Sequence, residues 1–183
     1  MVEEAKRELR SRLRAARRAL DPEQRAAQSA GIAARCQDLL ARSEPVALVS
    51  YLALSDEVDL ERLHAWWWGL GRLLWLPRVT GPGALAWHPV EGLGQVRGGA
   101  YGIREPDPAL VIAADLPPAA TVLVPGVGYT VDGHRLGQGG GFYDRVLAEH
   151  RGPTIGVAFA CQRVEAVPRG DHDRAVDRVI FGD

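Results

Sequence analysis

Four glycines in five positions, set within Arg135-Leu136-Gly137-Gln138-Gly139-Gly140-Gly141-Phe142-Tyr143-Asp144-Arg145, are the part of this chain best suited to chemistry. Glycines leave backbone N–H groups uncovered, and a helix starting directly after them offers its unpaired donors to an anion. Arg135 supplies a cation before the loop. Asp144 supplies a hard oxygen ligand of the kind Mg²⁺ takes just after it. A phosphate cradle, a cation and a metal carboxylate in one short segment form a candidate nucleotide-phosphate site. The same run also reads as a tight turn that lets a strand and a helix pack closely. It is not the dinucleotide fingerprint GxGxxG, because Phe142 stands where the last glycine belongs.

The basic residues narrow the chemistry further. Of 22 lysines and arginines only Lys6 is a lysine, and no glycine precedes it. A Walker A loop needs a lysine after a glycine-rich turn, so ATP handled by this protein would not be held that way. Residues 1–20 carry seven basic and three acidic side chains, while the rest of the chain is acidic by five charges. At about 100° per residue, Lys6, Arg10 and Arg17 lie on one edge of a stripe formed by Leu9, Leu13 and Leu20. Charges on that edge can reach into a cleft, whereas Arg7, Arg14 and Arg18 point further toward solvent. A basic helix is also the ordinary form of a solvated face.

The elements that must position these residues follow from periodicity and capping. Glu3–Leu20 reads as a helix. Asp21-Pro22-Glu23-Gln24 starts another, with Asp21 as N-cap and proline at the first helical position, running to Arg42. Val46–Leu52 is expected as a buried strand and Asp56–Leu70 as a returning helix. Leu73–Leu76 and Ala84–His88 flank a Gly-Pro-Gly turn, and Glu91–Pro118 is expected to be mostly loop. Thr121–Val124 is a strand. Asp132-Gly133 is a tight turn between Tyr129–Val131 and His134–Leu136, and a helix covers Phe142–His150. Pro153–Phe159 and Val176–Phe181 complete the strands. Strands alternating with helices predict an α/β fold, with a mostly parallel central sheet and helices on both faces.

Length and composition agree with one domain over residues 1–183, at 46% hydrophobic and 25% charged. No apolar run approaches the roughly 18 residues of a membrane span, and no signal peptide is evident. Cys36 and Cys161 are far apart with no CxxC, so a reducing, cytoplasmic home is expected. Trp66-Trp67-Trp68 reads as core packing or a subunit contact, since at most two of three successive helix positions share a side. No GxSxG elbow and no zinc-spaced histidine pair is present.

The glycine segment resembles the signature of the 5-formyltetrahydrofolate cyclo-ligase family, also called methenyltetrahydrofolate synthetases, in which RLG-x-G-x-G-[YF]-YD follows a VPG-containing strand. Here that strand end is Leu123-Val124-Pro125-Gly126-Val127-Gly128-Tyr129. The resemblance extends in order over Lys6-Arg7-Glu8-Leu9-Arg10, Tyr51–Asp59, Tyr101–Pro106, Ala158–Gln162, Val167-Pro168, Asp171-His172-Asp173 and Val176-Asp177. It implies a single-domain three-layer α/β sandwich and ATP-dependent cyclisation of 5-formyltetrahydrofolate to 5,10-methenyltetrahydrofolate, with release of ADP and phosphate. A noncatalytic folate- or nucleotide-binding relative is the alternative, followed by a different ATP-dependent enzyme on the same scaffold. Nucleic acid and membrane are not expected partners, and a monomer is expected.

The resemblance also implies residue roles. ATP would be held by Lys6, Arg7, Glu8, Leu9 and Arg10 and by Arg135, Leu136, Gly137, Gln138, Gly139, Gly140, Gly141, Phe142 and Tyr143, with Lys6, Arg10 and Arg135 acting on the transferred phosphoryl group. Folate would meet Leu52, Glu57 and Tyr101 and the loop Gln138–Phe142. Asp144 and Asp173 would bind Mg²⁺. Read as residues alone, Glu57 is equally a carboxylate at a helix N-terminus, Tyr101 equally pins its loop, and Asp171-His172-Asp173 fits either a metal or a helix cap. Two positions depart from the family pattern. Gln138 stands where an aromatic or basic residue is common, and Phe142 replaces the first tyrosine of a pair.

Overall fold

The computed structural model describes residues 1–99, 102–170 and 173–183. Two helices open the chain, α1 (Val2–Ala19) and α2 (Pro22–Ser43). They separate where expected because the Asp21 carboxylate accepts the Gln24 N–H at 2.8 Å and proline occupies the first turn. The strands of the main sheet are β1 (Leu48–Val49), β2 (Leu74–Gly81), β3 (Ala84–Val90), β6 (Thr121–Val124), β9 (Thr154–Ala158) and β10 (Arg178–Phe181). Their order is β10-β9-β6-β1-β2-β3. Every pairing is parallel except the β2–β3 hairpin at one edge. Two short antiparallel ribbons lie outside it, β4 (Val96–Gly98) with β5 (Arg104–Pro106) and β7 (Gly128–Tyr129) with β8 (Arg135–Leu136).

Alternation along the strands builds a core on each face. Leu48, Leu74, Leu76, Leu123, Ile155, Val157 and Ile180 point to one side, against α2 and α3 (Glu61–Gly69). Val49, Val122, Val124 and Ala158 point to the other, where Tyr143 and Leu147 of α4 (Phe142–Glu149) cover them. These are the three layers that the alternation of strands and helices predicts. Trp67 is fully buried in the first core and donates its indole N–H to the Leu73 carbonyl, so the tryptophan run is packing.

Three expectations need correction. The strand at 46–52 is paired only over Leu48–Val49, because the chain leaves the sheet after the Ser50 N–H bonds the Trp75 carbonyl and Val46 is solvent-exposed. The returning helix begins at Glu61. Residues 54–57 form a turn instead, with the Glu57 N–H on the Leu54 carbonyl, and Val58 and Leu60 are buried in the core. The segment 91–118 is mostly loop, as expected, and also holds the β4–β5 ribbon and a 3₁₀ turn at Leu93–Gln95. The turn at Asp132-Gly133 is one residue longer than expected. The Thr130 N–H pairs with the His134 carbonyl, leaving Val131, Asp132 and Gly133 in the loop, and Gly133 takes the positive φ.

The small third cluster decides where function can sit. Leu13 and Leu9 of α1 pack on Val127, Leu136, Val164 and Val167, which lie in the connections beyond the parallel strands. α1 therefore lies across the carboxyl ends of the strands and covers neither face of the sheet. From β1 the chain moves outward to β2 and β3. It then returns to β6 on the other side, so β1 and β6 flank the point where the winding reverses. Open α/β sheets bind ligands in the crevice beyond such a point.

Candidate functional site

The crevice is walled by the segments after β1 and after β6, with α1 across the top. Beyond β6, Gln162 fixes the chain: its amide nitrogen donates to the carbonyls of Gly126 (2.8 Å) and Val127 (3.0 Å), and its oxygen accepts the Phe159 N–H. The β7–β8 hairpin then delivers Arg135 and the glycine loop. Tyr129, buried beneath it, lies against Gly126 and Gly156, where a Cβ would come within 2.5 Å of its ring. Gly139 and Gly141 take positive φ (105° and 67°), the region an L side chain enters only with strain. Gly141 is the N-cap of α4 and contributes no side-chain cap, so the first donors of that helix face the loop uncovered.

Charges converge on this loop from distant parts of the chain. Arg135, itself buried, places Nη2 2.6 Å from the Asp144 carboxylate and donates from Nη1 to the Pro125 carbonyl. Lys6, also buried, sits 2.6 Å from the Asp173 carboxylate, which accepts the Gly170 N–H as well. Burial pulls the Asp173 carboxyl upward. The Gly170 N–H and the Lys6 ammonium outweigh it and hold the group below the ordinary carboxylate range, with Arg135 adding to the effect. Arg10 Nε donates to the Gly137 carbonyl at 3.0 Å. Cations and carboxylates thus compensate one another beside a loop of backbone donors.

The β1 side is tied to the same network. Glu57 accepts the Leu54 N–H on Oε2 and the Gln138 amide on Oε1 (3.2 Å), and Arg17 Nη1 is 3.8 Å away. It does not sit at a helix N-terminus: α3 starts four residues later. Arg17, buried, spends its guanidinium on Asp56 at 2.8 and 3.1 Å. Beyond Glu57 opens a cavity of about 460 Å³, lined in part by Arg25, Ser29, Leu54, Asp59, Arg62 and Arg104.

The structure brings together Lys6, Arg10, Arg135, Gln138, Asp144, Asp173 and Glu57. It does not bring all the sequence candidates there. Arg7 and Glu8 are exposed, and Arg7 pairs with Glu4 on the outer face of α1. Leu136 in the apolar floor beneath α1 and Leu52 in the main core are buried, so these two meet a ligand with backbone at most, while Leu9 packs half-buried on the same floor. Phe142 lines a separate groove of about 760 Å³ between the β2–β3 hairpin tip and α4. Tyr143 turns inward and its hydroxyl has no partner among the described residues. Burial, with the charge of Glu57, pushes it well up. Tyr101 lies outside the described residues. The sequence reading missed Arg14: its Nη2 reaches the Gln138 side-chain oxygen at 2.6 Å and the Gln138 carbonyl at 3.3 Å. The run Lys6-Arg10-Arg14 at four-residue spacing was the available signal.

The donor set fits a Mg²⁺ that arrives with a nucleotide. Asp144 and Asp173 are hard oxygen donors, but among the described residues no group of three or more His, Cys, Asp or Glu forms a cage. A hard cation here would take most of its ligands from phosphate oxygens and water, as Mg²⁺ commonly does. Among the described residues, no helix is long and apolar enough to cross a membrane.

Residues 2–182 match the sequence profile of the 5-formyltetrahydrofolate cyclo-ligase family. The chain is 28% identical to the mouse 5-formyltetrahydrofolate cyclo-ligase, covering all of this chain and 96% of that protein. It is 29% identical to the Escherichia coli K12 enzyme of the same name, covering 92% and 95%. Among solved structures, the Aquifex aeolicus 5,10-methenyltetrahydrofolate synthetase superposes with a TM-score of 0.81 at 30% identity, over 96% of this chain and 89% of that one. A Mycoplasma pneumoniae 5,10-methenyltetrahydrofolate synthetase superposes with a TM-score of 0.73 at 21% identity, which speaks for the fold.

Proposed function

Because this chain belongs to the 5-formyltetrahydrofolate cyclo-ligase family, we propose that it converts 5-formyltetrahydrofolate to 5,10-methenyltetrahydrofolate, consuming ATP and releasing ADP and phosphate. The observation that carries the proposal is the convergence of Lys6, Arg10, Arg135, Asp144 and Asp173 on the glycine loop, one hydrogen bond from Glu57.

The chemistry asks for positioning and charge neutralisation, which this arrangement is suited to supply. The formyl oxygen attacks the γ-phosphorus of ATP as the bond to the ADP oxygen breaks. The formyl oxygen, a poor leaving group, becomes part of a phosphate ester. The neighbouring N10 amine then adds to the activated carbon, closing a five-membered ring. Phosphate departs with that oxygen, and the N10 proton goes to solvent or phosphate. Neither a protein nucleophile nor a protein base is required.

Lys6 and Arg135 are placed to exchange their carboxylate partners for phosphate oxygens when ATP enters. Arg10 holds the loop by the Gly137 carbonyl, and its other nitrogens would meet the phosphates. The loop and the α4 N-terminus offer N–H donors to the anion. Asp144 and Asp173, released by their cations, would hold Mg²⁺, which when bound neutralises charge on the phosphates. Glu57, between loop and cavity, is suited to the N–H donors of a pterin. The chain would work as a single domain and a monomer.

The test is near-ultraviolet absorbance of purified protein with 5-formyltetrahydrofolate and Mg-ATP, beside controls lacking ATP or Mg²⁺. Growth of the methenyl chromophore only in the complete mixture is expected. A flat trace from folded protein would overturn the proposal.

A further inference from the structure

Gln138 carries the one side chain in a loop otherwise made of glycine, and both ends of its amide are in use. Its oxygen accepts Arg14 Nη2 at 2.6 Å, and its nitrogen donates to Glu57 Oε1 at 3.2 Å. A guanidinium on one side and a carboxylate on the other fix which end of the amide points where. Arg14 also holds the Gln138 carbonyl, and Arg10 the carbonyl just before it. The bridge Arg14–Gln138–Glu57 therefore runs from α1 through the nucleotide loop to the segment after β1. Two features make it more than a surface contact. Gly137, Gly139, Gly140 and Gly141 give the loop wide backbone freedom, so any tether changes how often it takes one shape. Among the described residues Glu57 accepts one hydrogen bond on each oxygen, which leaves each a lone pair through which a folate can bind it without breaking the tether.

We propose that Gln138, anchored by Arg14, is a positioning residue that couples the two substrate sites: folate held at Glu57 stabilises the tethered loop and so tightens ATP. The inference rests on the cyclo-ligase reading of the site. Gln138 is exposed, so water competes for the tether and the loop is only partly held in the free protein. A ligand over Glu57 excludes that water and raises the tethered fraction, and apparent ATP affinity rises by the same factor. Reciprocity requires ATP to tighten folate equally.

The experiment is initial-rate kinetics on the full chain over a grid of ATP and 5-formyltetrahydrofolate concentrations. It yields the ATP KM at low and at saturating folate. The ratio should be about fivefold in the wild type, near the lower end of ordinary coupling between sites. It should fall to about one in Gln138→Met, which loses both bonds, and in Gln138→Glu, which keeps an acceptor for Arg14 but repels Glu57. Arg14→Met should lower it in between. In Gln138→Met and Gln138→Glu the ATP KM should rise at low and at saturating folate and become the same in both, whereas a merely damaged loop would raise KM and keep the wild-type ratio. A wild-type ratio of one, or a ratio unchanged in Gln138→Met and Gln138→Glu, overturns the coupling. Should the wild type turn nothing over, the cyclo-ligase reading fails instead. Calorimetric titration of Mg-ADP with and without 5-formyltetrahydrofolate then decides the coupling by the same ratio.

Discussion

Removing the Lys6 ammonium should cost the protein far more activity than stability. Lys6 is 8% exposed at the side chain, and its Nζ is 2.6 Å from an Asp173 carboxylate that is 22% exposed. Breaking a fully buried ion pair costs about 3–5 kcal/mol, because the remaining charge has no partner. Asp173 keeps the Gly170 N–H and some water, so Lys6→Met should cost about 1–2 kcal/mol of stability. For a chain of this length that lowers the melting temperature by roughly 2–8 °C. If Lys6 meets the transferring phosphoryl group as proposed, the same deletion removes one preorganised charge there, an effect worth about 10²–10³ in kcat. Lys6→Arg separates the roles. A guanidinium can still pair with Asp173, so melting should stay within about 2 °C of wild type. A planar fork does not place its charge where a compact ammonium does, and turnover should drop at least about tenfold. The assay is formation of the methenyl chromophore beside a thermal melt of each variant. Lys6→Met within threefold of wild-type kcat/KM, or activity falling only in step with stability, would refute the catalytic role of Lys6.

Three further outcomes are expected from the geometry. His64 is buried against Ser50 Oγ at 2.8 Å, and burial, aided by the charge of Arg104, lowers its pKa to about 3. Its folded value lies below the unfolded one near 6.5, so its contribution is complete above that pH. It is lost as pH falls toward 3, at up to about 1.4 kcal/mol per pH unit. Urea midpoints across that window should be flatter for His64→Gln, and parallel curves would count against this. Gly139→Ala meets open space, with Arg10 the nearest side chain at 3.8 Å, but φ is 105°. It should cost about 1–3 kcal/mol by backbone strain and raise the ATP KM; an unchanged melt and KM would show that the loop does not need this conformation. Trp67→Phe removes the indole donor to Leu73 and part of the core volume. Denaturant titration should show a loss of about 1–3 kcal/mol, and a neutral result would mean the core refills the space.

Features set by neighbours in the chain were legible without coordinates. The break between α1 and α2 follows from Asp21 and Pro22. β6 over Thr121–Val124 and α4 from Phe142 match the expected bounds because turn residues mark their limits and their apolar pattern is unambiguous. The glycine loop, Arg135 and Asp144 form one local unit, and the 2.6 Å bond between the two charges needs only the hairpin and the first turn of α4. Family membership was legible for the same reason, since its motifs are short contiguous strings.

The remainder depended on contacts between residues far apart. Lys6 and Asp173 are 167 positions apart, and only docking of α1 over the strand ends brings them within 2.6 Å. A helical wheel gives angles around α1 but not which edge the loop will approach, so Arg14 reads as solvent-facing until Gln138 is placed beside it. Leu9, Leu52 and Leu136 lie within motifs that the family resemblance assigns to ligands, yet apolar packing draws their side chains to the floor and core. Glu57 reads as a helix-start carboxylate until burial of Val58 and Leu60 delays α3 and leaves it in a turn facing the glycine loop. Sequence alone determined the local conformations and the chemical inventory, because capping, periodicity and turn residues act within a few positions. Tertiary structure decided which charges face one another, because the order of strands about the reversal between β1 and β6 is a property of the whole packed sheet.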